Sequence, residues 1–208
     1  MPFISMNFST FFSKLQESPW YYQFLTPVLN EIDSGSIILD IGAGSGKMLQ
    51  LLSEEKQVTG VGIDTDQSML DEAKKKLANT TIQLQQINAG EDYPYGDASF
   101  DGVTICNVLF NLKEEAVNHI LSEALRVVRT NGKIIILTPT GKSNSINLTR
   151  HFFSLKNTGI YIWYNATKKS AKTWSKEKYL HKYSTDHNLA YTKKITLKGF
   201  AQVEIITK

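Results

Sequence analysis

The sequence predicts an α/β protein, with a largely parallel sheet covered by helices on both faces. Three observations carry that expectation. Short, continuously apolar runs recur along the first two thirds of the 208-residue chain, as in strands buried on both faces. Between them stand stretches whose apolar residues keep helical spacing. A glycine-rich turn, Asp40-Ile41-Gly42-Ala43-Gly44-Ser45-Gly46, joins the first such run to the first such stretch. Strand, turn and helix in alternation place parallel strands side by side.

The length suits one sizeable core, and residues 1–208 read as a single domain. Residues 1–34 read as an N-terminal helical cap, because Phe24, Val28, Leu29 and Ile32 recur at helical spacing within residues 20–32. Ile37-Ile38-Leu39 is the first strand. Met48, Leu49, Leu51 and Leu52 mark a short helix after the glycine turn. Residues 58–63 form a second strand, and Asp66 is placed to cap the next helix, whose apolar positions are Met69, Leu70, Ala73 and Leu77. Residues 81–87 and 101–106 are the third and fourth strands. Val117, Ile120, Leu121, Ala124, Leu125 and Val128 stripe a long helix, which Asn131-Gly132 is expected to end. Residues 133–138 are the fifth strand, closed by Pro139. Residues 140–174 lack a clean period and read as an inserted loop or substrate lid. A helix is expected over residues 175–187. Two β runs follow, 191–197 and 201–207, and the short Lys198-Gly199-Phe200 break suits an antiparallel pair.

No apolar run approaches the roughly 18 residues of a membrane span. Residues 1–12 lack a basic leader and a cleavage pattern, so no signal peptide is read there. One cysteine, Cys106, excludes an internal disulfide and a cysteine-built zinc site; no metal is expected, and the setting fits a reducing cytoplasm. The formal charge of +3 hides an asymmetry: residues 1–139 carry roughly −7 and residues 140–208 roughly +10. A solvated lysine-rich surface and a site for an anionic partner both account for it.

Spacing narrows what the glycine turn can be. A dinucleotide fingerprint, G-x-G-x-x-G/A, counted from Gly42 and Gly44 needs a small residue where Lys47 stands. A phosphate loop needs Ser or Thr after the lysine, and Met48 follows instead. The third glycine is Gly46, giving D-x-G-x-G-x-G.

Ile38-Leu39-Asp40-Ile41-Gly42-Ala43-Gly44-Ser45-Gly46 resembles the first motif of the class I S-adenosylmethionine-dependent methyltransferases. The resemblance is closest to the small group that includes the ubiquinone and menaquinone biosynthesis methyltransferases. It covers residues 37–139 well and the last two strands loosely. It implies a Rossmann-like, doubly wound sheet of seven strands in the order 3-2-1-4-5-7-6, with strand 7 antiparallel. It also implies S-adenosylmethionine as cofactor and S-adenosylhomocysteine as product, with Asp40, Gly42, Ala43, Gly44 and Gly46 at the methionine end.

Further residues extend that reading. Asp64 ends the second strand 18 positions after Gly46, near the roughly 20 expected of a ribose-binding acid. Thr65 and Met69 follow it in the same segment. After the third strand, Asn88-Ala89-Gly90 corresponds to the family's adenine contact, with one extra residue near Gly90. Asn88-Ala89 and Ala89-Gly90 therefore both stand as the adenine pair, with Asn88 preferred because an amide both donates and accepts. Cys106 and Asn107, after the fourth strand, are expected to face the cofactor near its methyl, although Cys106 serves equally well as a small core residue.

No catalytic base is evident. His119, His181 and His187 read as surface residues. His151, beside Phe152 and Phe153 in the insert, is a weak candidate. A base is optional where the acceptor is already nucleophilic, since alignment supplies much of the acceleration. The insert mixes Phe152, Phe153, Tyr161, Trp163 and Tyr164 with Arg150, Lys156, Lys168, Lys169 and Lys172. That combination suits an aromatic small-molecule pocket, a nucleic-acid surface or a small secondary core. Trp20, Tyr21 and Tyr22 could cover the cofactor from the N-terminal side. The expected function is methyl transfer to a small-molecule acceptor. An RNA or polyanion methyltransferase and a non-catalytic cofactor-binding regulatory module stand as alternatives. Lys47 argues against a nicotinamide dehydrogenase.

Overall fold

The computed structural model describes residues 8–142 and 145–208; the first seven residues of the expected N-terminal cap lie outside that range. Two helices, α1 (Phe8–Gln16) and α2 (Pro19–Leu29), precede the sheet. Then follow β1 (Ile37–Ile41), α3 (Lys47–Lys56), β2 (Thr59–Asp64), α4 (Gln67–Lys76), β3 (Gln83–Gln86) and β4 (Phe100–Cys106). The chain continues through α5 (Glu114–Val127), β5 (Val128–Pro139), α6 (Ser145–Phe152), α7 (Gly159–Glu177), α8 (Tyr179–Asp186), β6 (Ala190–Thr196) and β7 (Ala201–Thr207).

The seven strands form one sheet in the order β3-β2-β1-β4-β5-β7-β6. β1 pairs in parallel with β2 and β4, and β7 runs antiparallel to both β5 and β6. This is the order and polarity that the family resemblance implies. Both faces are covered. One layer buries Ile38, Ile135, Leu137 and Val203 under α2, α3, α6 and the first half of α7. The other buries Leu39, Val103, Ile105, Ile134 and Ile136 under α5, α8 and the end of α7. The inner strands therefore read as continuous apolar runs. The edges differ: three of the four side chains of β3 are exposed glutamines, and β6 exposes Lys193 and Lys194, which discourages further strand pairing. No described helix is long and apolar enough to cross a membrane.

Local chemistry explains the element ends. Asp66 caps α4 as its position suggests, accepting from the Ser68 N–H at 2.8 Å. α5 starts on Glu114 and Glu115, which suit a helix N-terminus. It ends at Val127, earlier than Asn131-Gly132. Those two residues instead form an irregularity within β5: Asn131 takes φ 63°, and the register against β4 shifts between Val128 and Lys133.

The largest correction is the insert. Residues 145–177 are mainly helical, as α6 and α7, rather than a loop. The buried side of α7 is Ile160, Trp163, Tyr164, Thr167, Ala171, Trp174 and Ser175, a helical stripe diluted by small polar residues. Thr167 bonds back to the Trp163 carbonyl at 2.8 Å, and the Ser175 hydroxyl meets Gln202 at 3.4 Å, so both are buried with their hydroxyls satisfied. The helix expected over residues 175–187 is the end of α7 and then α8, broken at Lys178 with φ 52°.

Candidate functional site

β1, β2 and β4 are parallel neighbours, so their carboxyl ends open along one edge of the sheet. A cavity of about 710 Å³ lies there, within the usual size of small-molecule sites and in the position where such sheets bind ligands.

The glycine turn forms one wall. The N–H groups of Gly42 and Ala43 donate to the Ile63 carbonyl at 2.8 and 3.0 Å, pinning the turn to the end of β2. Gly42 has φ 73°, and a Cβ there would meet Val108 Cγ2 at 2.4 Å; only glycine suits both demands. Gly42, Ala43 and Gly44 line the cavity. Gly46 is not on its wall. It precedes α3 with φ 78°, and a Cβ there would lie 3.0 Å from the side chains of Ala73 and Leu77. Its place in the motif reflects the packing of α3 on α4.

Asp64 stands at the end of β2 on the same cavity. Its Oδ2 accepts from the Gly44 N–H at 2.8 Å and its Oδ1 from the Asp66 N–H at 2.9 Å. The carboxylate is thereby fixed, with lone pairs remaining on both oxygens. Thr65 and Met69 line the adjoining wall.

Asn88, Ala89 and Gly90 follow on the next stretch of wall. Gly90, at φ 83°, absorbs the extra residue in a turn. That turn brings the Glu91 carboxylate back to accept from the Asn88 backbone N–H at 3.0 Å and from its Nδ2 at 2.8 Å. One of the two Nδ2 hydrogens is engaged, so Oδ1 and the second hydrogen of Asn88 are what a ligand can meet. The loop beyond is clamped onto α5: Glu123 accepts from the Tyr93 N–H at 2.7 Å, and Arg126 donates to the carbonyls of Tyr93 and Tyr95 at 2.9 and 2.7 Å.

At the opposite end lie Asp40, Cys106, Asn107, Tyr21 and Gln16. Burial pushes the Asp40 carboxyl up to about 7, against the pull of its 2.6 Å hydrogen bond from Thr104 and with the help of nearby Asp64. Burial likewise pushes up the Cys106 thiol and the Tyr21 hydroxyl. Tyr21 comes from the N-terminal helices and accepts from Gln16 Nε2 at 2.9 Å. Asn107 holds φ 65°, and its Oδ1 accepts from Trp163 Nε1 at 3.2 Å. Through this bond the insert reaches the site. No described residue beyond Ile120 lines the cavity.

His151 is exposed on α6 and is not on the cavity wall. His119, read from the sequence as solvent-facing, is on the rim, with Nε2 3.0 Å from the Glu91 carbonyl and its ring edge-on to Tyr93. Glu115, Ala116, His119 and Ile120 share that side of α5; their one-three-one spacing was the available clue. Gln16 and Lys47 also line the cavity. Nothing in the spacing of Gln16 singles it out, and Lys47 counted in the sequence only as a departure from other motifs.

The donor set fits an adenosyl amino acid. A fixed carboxylate can take ribose hydroxyls, an amide oxygen can take an exocyclic amine, and a glycine turn leaves room for a close-lying chain.

The comparisons agree with this geometry. A family model described as a methyltransferase domain matches residues 38–132. A demethylmenaquinone methyltransferase of Lactobacillus johnsonii is 31% identical over 135 residues, 62% of this chain and 54% of that one. A ubiquinone/menaquinone biosynthesis C-methyltransferase of Desulfotalea psychrophila is 31% identical over 112 residues, 52% of this chain and 44% of that one. The chain thus spans about half the length of the curated relatives it matches. Among solved structures, a Methanococcus maripaludis protein described as S-adenosyl-L-methionine-dependent superposes with a TM-score of 0.72 at 20% identity, over 96% of this chain and 91% of that one. At that identity the superposition speaks for the fold.

Proposed function

We propose that this chain, whose residues 38–132 match a methyltransferase-domain model, is a class I S-adenosylmethionine-dependent methyltransferase and transfers a methyl group to a small, apolar acceptor. The observation that carries the reading is the Asp64 carboxylate, fixed by two backbone N–H groups at the edge of the glycine-walled cavity. Bound S-adenosylmethionine supplies a sulfonium methyl and a neutral leaving group. In this reading Asp64 takes the ribose, Asn88 Oδ1 the adenine amine, and Asp40 with the Gly42–Gly44 turn the methionine end. Thr65, Met69, Ala89 and Gly90 complete the walls, and Cys106 and Asn107 border the reacting end.

The protein's own part is to align and to exclude water. Tyr21 and Cys106 keep their protons at neutral pH, so they donate or pack rather than abstract a proton. That favours an acceptor bringing its own electron pair, such as an electron-rich ring carbon or a thiol. The quinone chemistry in the relatives' names points the same way. Helix α7 meets the reacting end through the bond from Trp163 to Asn107. The single cysteine suits a reducing cytoplasmic setting.

Calorimetry should detect S-adenosylhomocysteine and not NAD, and purified protein should methylate at least one compound in a panel of phenols, hydroquinones and thiols. Absence of S-adenosylhomocysteine binding overturns the reading. Binding without transfer would instead favour a regulatory module. Steeply salt-dependent RNA binding, with methyl incorporated into RNA, would favour the basic C-terminal third as a polyanion site.

A further inference from the structure

Helix α6 carries the two most exposed large apolar side chains among the described residues, on the side turned away from the core. Leu148 and Phe152 are buried, and Phe152 packs edge-on to Phe200 at 5.8 Å. The opposite side presents Ile146, Thr149, Arg150 and Phe153, all exposed and at the spacing of a single helical stripe. Ile146 is 77% exposed and Phe153 84%. Phe153 keeps its place in the stripe because its N–H bonds to the Thr149 carbonyl at 3.0 Å. The two apolar groups therefore stand about 10 Å apart along one line. On α7, Ile162 is 52% exposed and shares its side with exposed Asn165, Ala166 and Lys169. Tyr161 donates to Thr149 Oγ1 at 3.2 Å, which brings this end of α7 against the α6 stripe. Single exposed apolar residues are ordinary, but three on neighbouring surfaces mark an interaction site.

Charge identifies the partner. Residues 140–176 contain seven Lys and Arg and no Asp or Glu. Arg150 lies within the α6 stripe, exposed Lys142 and Lys156 flank that helix, and Lys169 continues the Ile162 side of α7. We propose that this surface docks on an anionic lipid bilayer. Helix α6 lies in the interface plane, Ile146, Phe153 and Ile162 enter the acyl boundary, and Arg150, Lys156 and Lys169 meet the headgroups. Two of the three apolar groups are isoleucines, which offer no flat face for a nucleic-acid base. All three protrude, so a fluid layer accommodates them where a rigid partner would need matching pockets. The docking is peripheral, since no described helix is long and apolar enough to cross a membrane. Ile162 precedes Trp163, whose bond to Asn107 borders the reacting end of the cavity. Docking thus sets that end about one helix diameter, roughly 10 Å, from the bilayer. For the apolar acceptor proposed above, the bilayer is then the reservoir; that consequence rests on the earlier reading, and the docking does not.

The test is cosedimentation of the full chain with vesicles of phosphatidylcholine alone and of phosphatidylcholine with about one quarter phosphatidylserine. Wild type should bind the anionic vesicles more tightly, and less so as salt is added. Ile146→Ser with Phe153→Ser should weaken that binding by about 10-fold or more, the scale of partly burying two large apolar side chains. Arg150→Ser with Lys156→Ser should weaken it by about 10-fold or more and reduce its salt dependence. Lys74→Ser with Lys182→Ser removes the same charge from exposed positions on α4 and α8, and binding should stay within about twofold of wild type. All the substituted side chains are exposed, so the variants should melt with the wild type. Equal binding to the two vesicles, or full binding by the Ile146 and Phe153 variant, overturns the proposal. So does a protein that ignores vesicles yet binds RNA, or forms a dimer, through the same residues. None of these outcomes touches the cofactor reading, which S-adenosylhomocysteine calorimetry decides separately.

Discussion

Residues 37–139 and residues 140–187 cover the same sheet by different means. The first stretch is acidic, and its strands and helices alternate with clean periods. It carries the walls of the cavity from Asp40 to Ile120. The second is basic, mainly helical among its described residues, and packs on the sheet through Leu148, Phe152, Ile160, Tyr164, Ala171 and Leu180, with polar ties added by two tryptophans. Trp163 donates to Asn107 at 3.2 Å and Trp174 to buried Glu204 at 3.4 Å. The first region forms most of the cavity wall, and the second packs on the first without lining that cavity. Changes in the first should therefore appear as altered cofactor affinity, and changes in the second as altered stability or acceptor handling.

The largest expected effect tests how much the Glu204 contacts add to that packing. Glu204 is 2% exposed in β7. It accepts from Gln202 at 2.9 Å, Tyr191 at 2.5 Å and Trp174 at 3.4 Å, and Lys193 lies 3.6 Å away. Glu204→Ala leaves those donors buried without a partner, and the protein should lose about 3 kcal/mol or more against urea. Gln202 and Glu204 lie on β7, two strands across the sheet from β4, and neither is on the cavity wall, so S-adenosylhomocysteine affinity of the folded variant should stay within about twofold. A comparable loss of affinity would mean that the two regions are one cooperative unit.

The next effect belongs to the first region alone. Asp64→Ala removes a carboxylate poised for two ribose hydroxyls, each bond worth on the order of 1.5–3 kcal/mol when one partner is charged. S-Adenosylhomocysteine binding should weaken by about 100-fold or more, measured by calorimetry. Asp64 is only partly buried, so the melting temperature should move little. Retained affinity would assign Asp64 to holding the Gly44 and Asp66 N–H groups and nothing more.

The contrast also governs what could be read in advance. In the first region the glycine spacing, the acid 18 positions on and the apolar runs each follow from a physical need, and the sheet order came with the family resemblance. Asp66 as a cap and Asn88 on the wall were legible for the same reason. Gly46 was misleading: it sits in the motif, yet its hydrogen atom makes room for Ala73 and Leu77. In the insert, Thr167, Ala171 and Ser175 occupy buried helical positions that a hydrophobic pattern does not register. Gln16 and Lys47 were missed as wall residues because their roles arise from tertiary contacts between α1 and the turn.

The smallest effect is graded by pH and divides the first region within itself. Asp40 titrates near 7 because burial disfavours its charge, well above the ordinary 3.8. Between those two values the folded protein holds a proton that the unfolded chain has released. Stability from this group is therefore complete below about 3.8, falls as pH rises, and levels off above about 7. Cofactor binding should run the other way. A ligand ammonium favours the ionised carboxylate, so S-adenosylhomocysteine affinity should rise from pH 6 to pH 7 by up to about tenfold and flatten above that. Asp40→Asn should remove this group's share of the stability slope and leave affinity nearly constant across the window while binding stays weak. An unchanged affinity slope in Asp40→Asn would move the titrating group away from Asp40.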